Sequence, residues 1–296
     1  MKNIQLKNYN KGFTLVELLV SLVVSGIILT GVYSAFRTQQ NSYLVQEQVA
    51  EAQQNLRASI GFIARDLRMA GYDPTGSGNF SITDIRSRDL DNGLDNTSAG
   101  NPAITFQIDL NSDGILDTNE TFSYSLYEYP VSIPANKDGI PDLSRTQGAG
   151  GRQLLGESIV AIGFAYSYFD ADTGDIVTDT ASVDINGDGT VDSSDRVPVW
   201  AIDSDNNNQL DLNIDTNKDG EIDNSDNISG VALPGPDISI DNIASVKIWL
   251  LAQTKQQDRN FKETRTFVLA NKRVTPNDNF RHRLVEMTVK CRNKGL

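Results

Sequence analysis

Apolar positions follow three different patterns along this chain of 296 residues. The first is a continuous run. From Phe13 to Phe36 twenty-four residues are mostly apolar, and Glu17 is the only charged one. About 20 such residues suffice to cross a bilayer as a helix. The second pattern is helical. Val45, Val49, Ala52, Leu56, Ile60, Ile63 and Leu67 recur at steps of three and four, which puts them on one side of a helix. Residues 37–71 are therefore expected to continue the first helix as an amphipathic half, ended by Gly71 and Pro74. Its stripe suits either a globular head or a second helix in a coiled coil. The third pattern is strand-like, over Ala103–Ile108, Thr121–Tyr127, Ile159–Phe169, Ile243–Ala252, Thr264–Leu269 and Leu284–Lys290. Several of these runs alternate, as in Val246, Ile248 and Leu250 against Lys247 and Trp249. One long helix followed by strands predicts an α+β chain, with an antiparallel sheet covering the helix in a β-rich head over 72–296.

Residues 1–12 are polar and carry Lys2, Lys7 and Lys11 without an acid. A positive flank of this kind is expected to stay in the cytoplasm, with the head outside it. A secretory signal has a shorter apolar core with its small-residue cleavage site after it; here Gly12 lies before the run. A charge at the bilayer centre costs about 2.5–3.5 kcal/mol. Glu17 is thus either close enough to the interface to reach water or retained for function. The motif Lys11-Gly12-Phe13-Thr14-Leu15-Val16-Glu17-Leu18-Leu19-Val20 resembles the class III signal of type IV pilins and pseudopilins. That resemblance implies cleavage after Gly12 by prepilin peptidase, loss of residues 1–12 as a leader, and N-methylation of Phe13. It also implies that Glu17 pairs with the N-terminal amine of a neighbouring subunit during assembly, where two opposite charges offset part of each other's desolvation.

The resemblance extends further. Gln53-Gln54-Asn55-Leu56-Arg57 and Ile63-Ala64-Arg65-Asp66-Leu67-Arg68-Met69-Ala70-Gly71-Tyr72 are similar to the end of the long helix in PilW-type minor pilins. Val246 to Ala252, Arg265-Thr266-Phe267 and Arg281-His282-Arg283-Leu284 echo the same type near the C-terminus. The implied protein has a pilin-like α+β fold and starts as a single-pass protein of the bacterial inner membrane. It then enters a type IV pilus at the cell surface, bound to other major and minor pilins through its N-terminal helix, and helps to initiate or cap assembly. Two alternatives remain open: a minor pseudopilin of a type II secretion system, and a calcium-dependent adhesion module displayed on a pilus.

The loops between strands carry separate chemistry. Asp109, Asn111, Asp113, Gly114, Ile115, Asp117 and Glu120 occupy positions 1, 3, 5, 6, 7, 9 and 12 of a twelve-residue calcium loop. Calcium takes six to eight oxygen ligands, so the chain must wrap around it, with Gly at the sharp turn and a backbone carbonyl donated at position 7. Asp184, Asn186, Asp188, Thr190, Asp192 and Asp195 repeat the pattern around Gly189, and Asp215, Asn217, Asp219, Glu221, Asp223 and Asp226 repeat it around Gly220. These two resemble the loops of dockerin and thrombospondin type 3 repeats; their shorter Asp at position 12 leaves room for water. Asp203, Asp205, Asn207, Gln209 and Asp211 form a weaker fourth loop, with Asn208 in place of Gly and Ile214 at position 12. Asn136, Asp138, Gly139 and Asp142 make half a loop. Such residues also favour ordinary turns, but three full matches point to Ca²⁺ as a structural ion. The flanks do not read as helices, so EF-hand opening is not expected.

Charge sharpens the picture. The formal net charge is −13, which argues against nucleic acid as a partner. Residues 170–242 hold 18 acids and two bases, a net of −16; the rest of the chain holds 21 acids and 24 bases, a net of +3. The negative charge therefore belongs to one acidic insertion, and calcium would cancel part of it. One Cys and one His exclude an intrachain disulfide and a His-rich centre. No P-loop, GxSxG or HExxH motif is present, so no enzyme is expected. His282, between Arg281 and Arg283, reads as a surface residue. Cys291 reads as a buried thiol in the last strand, and Trp200 and Trp249 as core.

Overall fold

The computed structural model describes residues 12–85, 104–127, 140–228, 230–233, 237–291 and 293. The remainder of the leader and the Asn136–Gly139 part of the half loop lie outside the described residues. Helix α1 spans Leu15–Leu67, 53 residues in one element. The chain divides into two compact units, Met1–Glu47 and Gln48–Leu296. In the first unit the helix is exposed throughout its apolar run, from Phe13 through Phe36, and it is long and apolar enough to cross a membrane. Ser21, Thr30 and Thr38 donate their hydroxyls to the carbonyls of Glu17, Gly26 and Ser34. These local bonds satisfy polar groups that lipid cannot.

In the second unit the helical stripe is buried: Ala52, Leu56, Ile60, Ile63, Ala64 and Leu67 are at most 4% exposed. The helix stops where Gly71 takes a positive φ of 71°, the conformation glycine reaches without strain. The Gly71 amide then donates to the Gln107 carbonyl at 2.9 Å.

Five strands form a first antiparallel sheet in sequence order: β1 (Ile82–Asp84), β2 (Ile104–Gln107), β3 (Thr121–Tyr127), β4 (Asp142–Gln147) and β5 (Gln153–Gly156). The chain continues through β6 (Ile159–Tyr168), β7 (Thr178–Thr180), β8 (Arg196–Pro198), β9 (Ala201–Ile202), β10 (Gln209–Leu210), β11 (Leu212–Asn213) and β12 (Val231–Ala232). It ends with β13 (Ile238–Ser239), β14 (Ile243–Gln253), β15 (Phe267–Leu269), β16 (Lys272–Val274) and β17 (His282–Lys290). The second sheet has six strands in the order β12-β11-β9-β6-β14-β17. One core joins the helical stripe to residues of both sheets, including Phe106, Tyr124, Tyr166 and Ile248. A second core lies on the other face of the six-stranded sheet, where Trp200, Ile202, Trp249 and Leu251 meet Phe267, Val268 and Leu269. Gly163 allows that approach: a Cβ there would lie 3.0 Å from the Leu269 carbonyl carbon.

One polar link ties the helix end to the first sheet. Buried Asp66 accepts from the Tyr124 hydroxyl at 2.7 Å and from Arg145 Nε at 2.8 Å. Burial, then the Asp66 charge, pushes the Tyr124 hydroxyl up. Removing one member of such a group strands the others, at about 3–5 kcal/mol. Asp66→Ala should therefore lower the melting temperature by roughly 10 °C, at about 2–4 °C per kcal/mol for a domain of this size. A thermal melt shifting by less than about 2 °C would show that the link carries no stability.

Four sequence expectations change. The single sheet becomes two larger sheets and three two-stranded ones among the described residues, because β1–β5 pair only among themselves. The run at Thr264–Leu269 is extended only from Phe267. His282 is 2% exposed rather than at the surface: on a strand its Arg neighbours project to the opposite side, while its ring packs 6.1 Å from Phe267. Burial lowers its pKa. The acidic segment is more than loops, since it contributes β9, β11 and β12 to the six-stranded sheet and buries Trp200, Ile202, Leu210, Ile214 and Ile222. Trp200, Trp249 and Cys291 are buried as expected.

Candidate assembly terminus and metal loops

Gly12 and Phe13 precede the helix, and Phe13 is 82% exposed. Thr14 and Glu17 then bond reciprocally. The Glu17 amide donates to Thr14 Oγ1 at 3.2 Å, and Glu17 Oε2 accepts from the Thr14 amide at 2.9 Å and hydroxyl at 3.0 Å. This is a capping box, which satisfies amides that the first turn leaves without partners. Within a single chain, then, the Glu17 carboxylate already caps its own helix.

The three regular loops share one hydrogen-bond frame. At position 1, Asp109, Asp184 and Asp215 each accept from the amide of the turn glycine, Gly114, Gly189 and Gly220, at 2.9–3.1 Å. At position 3, Asn111, Asn186 and Asn217 accept from the amides of Asp113, Asp188 and Asp219. Those acids accept in turn from Ile115, Thr190 and Glu221. At position 12, Glu120, Asp195 and Asp226 each hold the amides of positions 2 and 9. The turn glycines have φ between 72° and 89°, which explains the residue type there. At position 7 the side chains are engaged elsewhere in two loops: Thr190 bonds Asp188 and Glu221 pairs with Lys247 Nζ at 2.8 Å.

Among the described residues, no three Asp, Glu, His or Cys side chains are gathered closely enough to hold an ion as they stand. The carboxylates are spread over loop amides, and side-chain amides lie between them: Asn111 Nδ2 is 3.0 Å from Asp113 Oδ2 and 3.2 Å from Asp117 Oδ2. An ion would draw these oxygens inward and displace the amide. The donor set is all oxygen, which fits a hard cation. Electrostatics differ between loops. Burial, aided by Asp226 and Asp219, pushes Asp215 up to about 6 against the pull of the Gly220 amide. Asp188 and Asp192 are held below the usual range by the hydroxyls and amides of Thr190 and Ser194.

The fourth loop keeps the first half of the frame. Asp203 accepts from Asn207 and Asn208, Asp205 from Asn207, and Asn207 from Gln209. Asn208 takes a φ of 72° at the glycine position. Its side chain also donates to the Thr83 carbonyl at 2.8 Å and accepts from the Ile85 amide at 2.9 Å, bonds that glycine lacks. Sequence reasoning also missed Lys247 and Arg273. Lys247 is buried between Trp200 and Trp249, 5.8 and 5.5 Å from their ring centroids. Arg273 donates to the Asn224 and Asp226 carbonyls. Lys247 already shared a strand face with Trp249 in the alternation; Arg273 left no signal.

Residues 7–33 match the prokaryotic N-terminal methylation motif. Residues 45–197, just over half of the chain, match the family described as prepilin peptidase-dependent protein B. Residues 206–293 match type IV pilus-assembly protein W. The chain belongs to the prepilin peptidase-dependent protein B family and is a minor pilin of a type IV pilus. The α+β fold, one helix followed by antiparallel sheets, is the class expected of it. No curated protein matches this minor pilin. Among solved structures it is similar to a type IV-like pilin, TTHA1219 from Thermus thermophilus, at 12% identity and a TM-score of 0.37, over 82% of this chain and 98% of that one. The methylation motif covers Gly12, Phe13 and Glu17, so the minor pilin is a substrate of prepilin peptidase and a component of pili, and its apolar helix fits an inner-membrane anchor. Its family is structural rather than enzymatic.

Proposed function

We propose that this minor pilin acts at the start or tip of the fibre, with a head held in shape by calcium in its three regular loops. It waits in the inner membrane as a single-pass protein with the head outside the cytoplasm, and joins other pilins through α1. The observation behind the calcium reading is the frame repeated in three loops: the same amides fix the same carboxylates at positions 1 and 12. The positive turn φ is shared as well, although position 12 is Glu in one loop and Asp in two. Ordinary turns do not require an acid eleven residues after the first. The loops sit between strands and no helix pair flanks them among the described residues, so the ion's role is structural.

Deleting the gene and counting pili tests the assembly role. Few or no pili, restored by the wild-type gene, is the expected result. Normal piliation with lost attachment would move the protein to adhesion.

A further inference from the structure

The fourth acidic loop lacks a ligand at its twelfth position, which is Ile214. The fold brings an acid from elsewhere. β13 pairs antiparallel with β10, with Gln209 opposite Ser239 and Leu210 opposite Ile238. Asp237 immediately precedes β13. The Asn207 side-chain amide joins Asp237 to the loop, with Nδ2 2.8 Å from Asp237 Oδ2 and 3.2 Å from Asp205 Oδ2. In the first loop the Asn111 amide bridges two carboxylates in the same way.

A second observation lies beneath this loop. Tyr166 on β6 pairs with Ala201 on β9. Its side chain therefore leaves the sheet on the face of Ala201 and, two residues on, of Asp203, while Ile202 faces the other core. Tyr166 is 1% exposed, and its hydroxyl has no hydrogen-bond partner among the described residues. Burial raises its pKa, and the charges of Asp84, Asp203 and Cys291 raise it further. A buried hydroxyl without a partner costs about 1–3 kcal/mol, and in native proteins it commonly marks a water or ion.

We infer that the fourth loop is a divalent-cation site completed from outside its own frame: Asp203, Asp205 and Asp211 share a calcium ion with Asp237, and the Tyr166 hydroxyl bonds water in its shell. This rests on the calcium reading of the regular loops. Four carboxylates suit a hard cation that takes six or more oxygens. The site also has a structural consequence. Asn208 stitches this loop to Thr83 and Ile85 at β1, so an ion here fixes the joint between the six-stranded and five-stranded sheets.

Native mass spectrometry of the full-length protein in detergent, with calcium chloride and with a chelated control, counts the ions. The wild type should hold four. Asp237→Asn should hold three, Asp184→Asn in the second loop also three, and the double variant two. Three ions in both the wild type and Asp237→Asn would overturn this inference and leave the regular loops intact. Four in both would also overturn it, because Asp237 would then not be a ligand. None in the wild type would remove the calcium reading itself. Should Asp237→Asn not fold, Tyr166→Phe decides: the fourth ion should bind more weakly with three unchanged, and unchanged affinity for all four would overturn the site.

Discussion

Chelating calcium from the full-length protein in detergent is expected to lower the melting temperature of the head by roughly 15–30 °C. The figure follows from linkage. An ion that binds only the folded state stabilises it by about 2.7 kcal/mol when free calcium is 100 times the dissociation constant. Three independent regular loops then contribute about 8 kcal/mol, and each kcal/mol moves the melting temperature of a domain this size by about 2–4 °C. Loss of the ions should be felt beyond the loops. The first loop is bonded to the segment that follows α1, where the Asp109 amide donates to the Tyr72 carbonyl and Asn79 Nδ2 to the Gly114 carbonyl. The third loop packs Ile222 into the core that holds Trp200 and Trp249, so tryptophan fluorescence should follow its release. Magnesium should restore little, because it demands tight octahedral geometry and gives up water reluctantly. Equal melts with calcium and with chelator, within about 2 °C, would mean that the loop amides alone satisfy these carboxylates.

The legible parts of this chain were those where one local rule decides. The apolar run and the three-four stripe gave α1 almost to its ends, because burial on one side of a helix leaves a period in the sequence. Thr121–Tyr127 and Ile243–Ala252 were readable because long strands carry enough β-branched and aromatic residues to outweigh their surroundings. The loop frame was readable for a different reason: side chains that accept nearby loop amides and a glycine at positive φ recur at set positions. What could not be read depends on partners distant in sequence. Two- and three-residue strands such as β9, β11 and β12 have no periodicity of their own and exist because β6 and the neighbouring short strands pair with them. The burial of His282 follows from the β15–β16 hairpin folding back over the sheet. Asp237 lies 30 residues from Asn207, and only the β10–β13 register brings them together. The departure of Asn208 from glycine looked like decay in the sequence, yet in the fold its side chain makes two bonds to β1.

Glu17→Gln is expected to leave cleavage and helix content unchanged while reducing incorporation into pili by at least about tenfold. The substitution separates the observed cap from the proposed pairing with a neighbouring amine. In the isolated chain Glu17 closes a capping box with Thr14, and glutamine serves in such a box as well as glutamate. The glutamine variant should therefore keep the helix start. What it loses is charge. In a fibre core, the amine of the neighbouring Phe13 would be left without a counter-ion, and stranding one partner of a buried pair costs about 3–5 kcal/mol. Glu17→Ala removes both cap and charge, adding about 1 kcal/mol for the lost cap, so it should assemble no better than glutamine and start its helix less firmly. Immunoblots of sheared pili measure incorporation, and the mobility of the membrane-bound chain reports cleavage. If the glutamine variant enters pili like wild type while alanine does not, the cap rather than the charge is what assembly requires, and the pairing role falls.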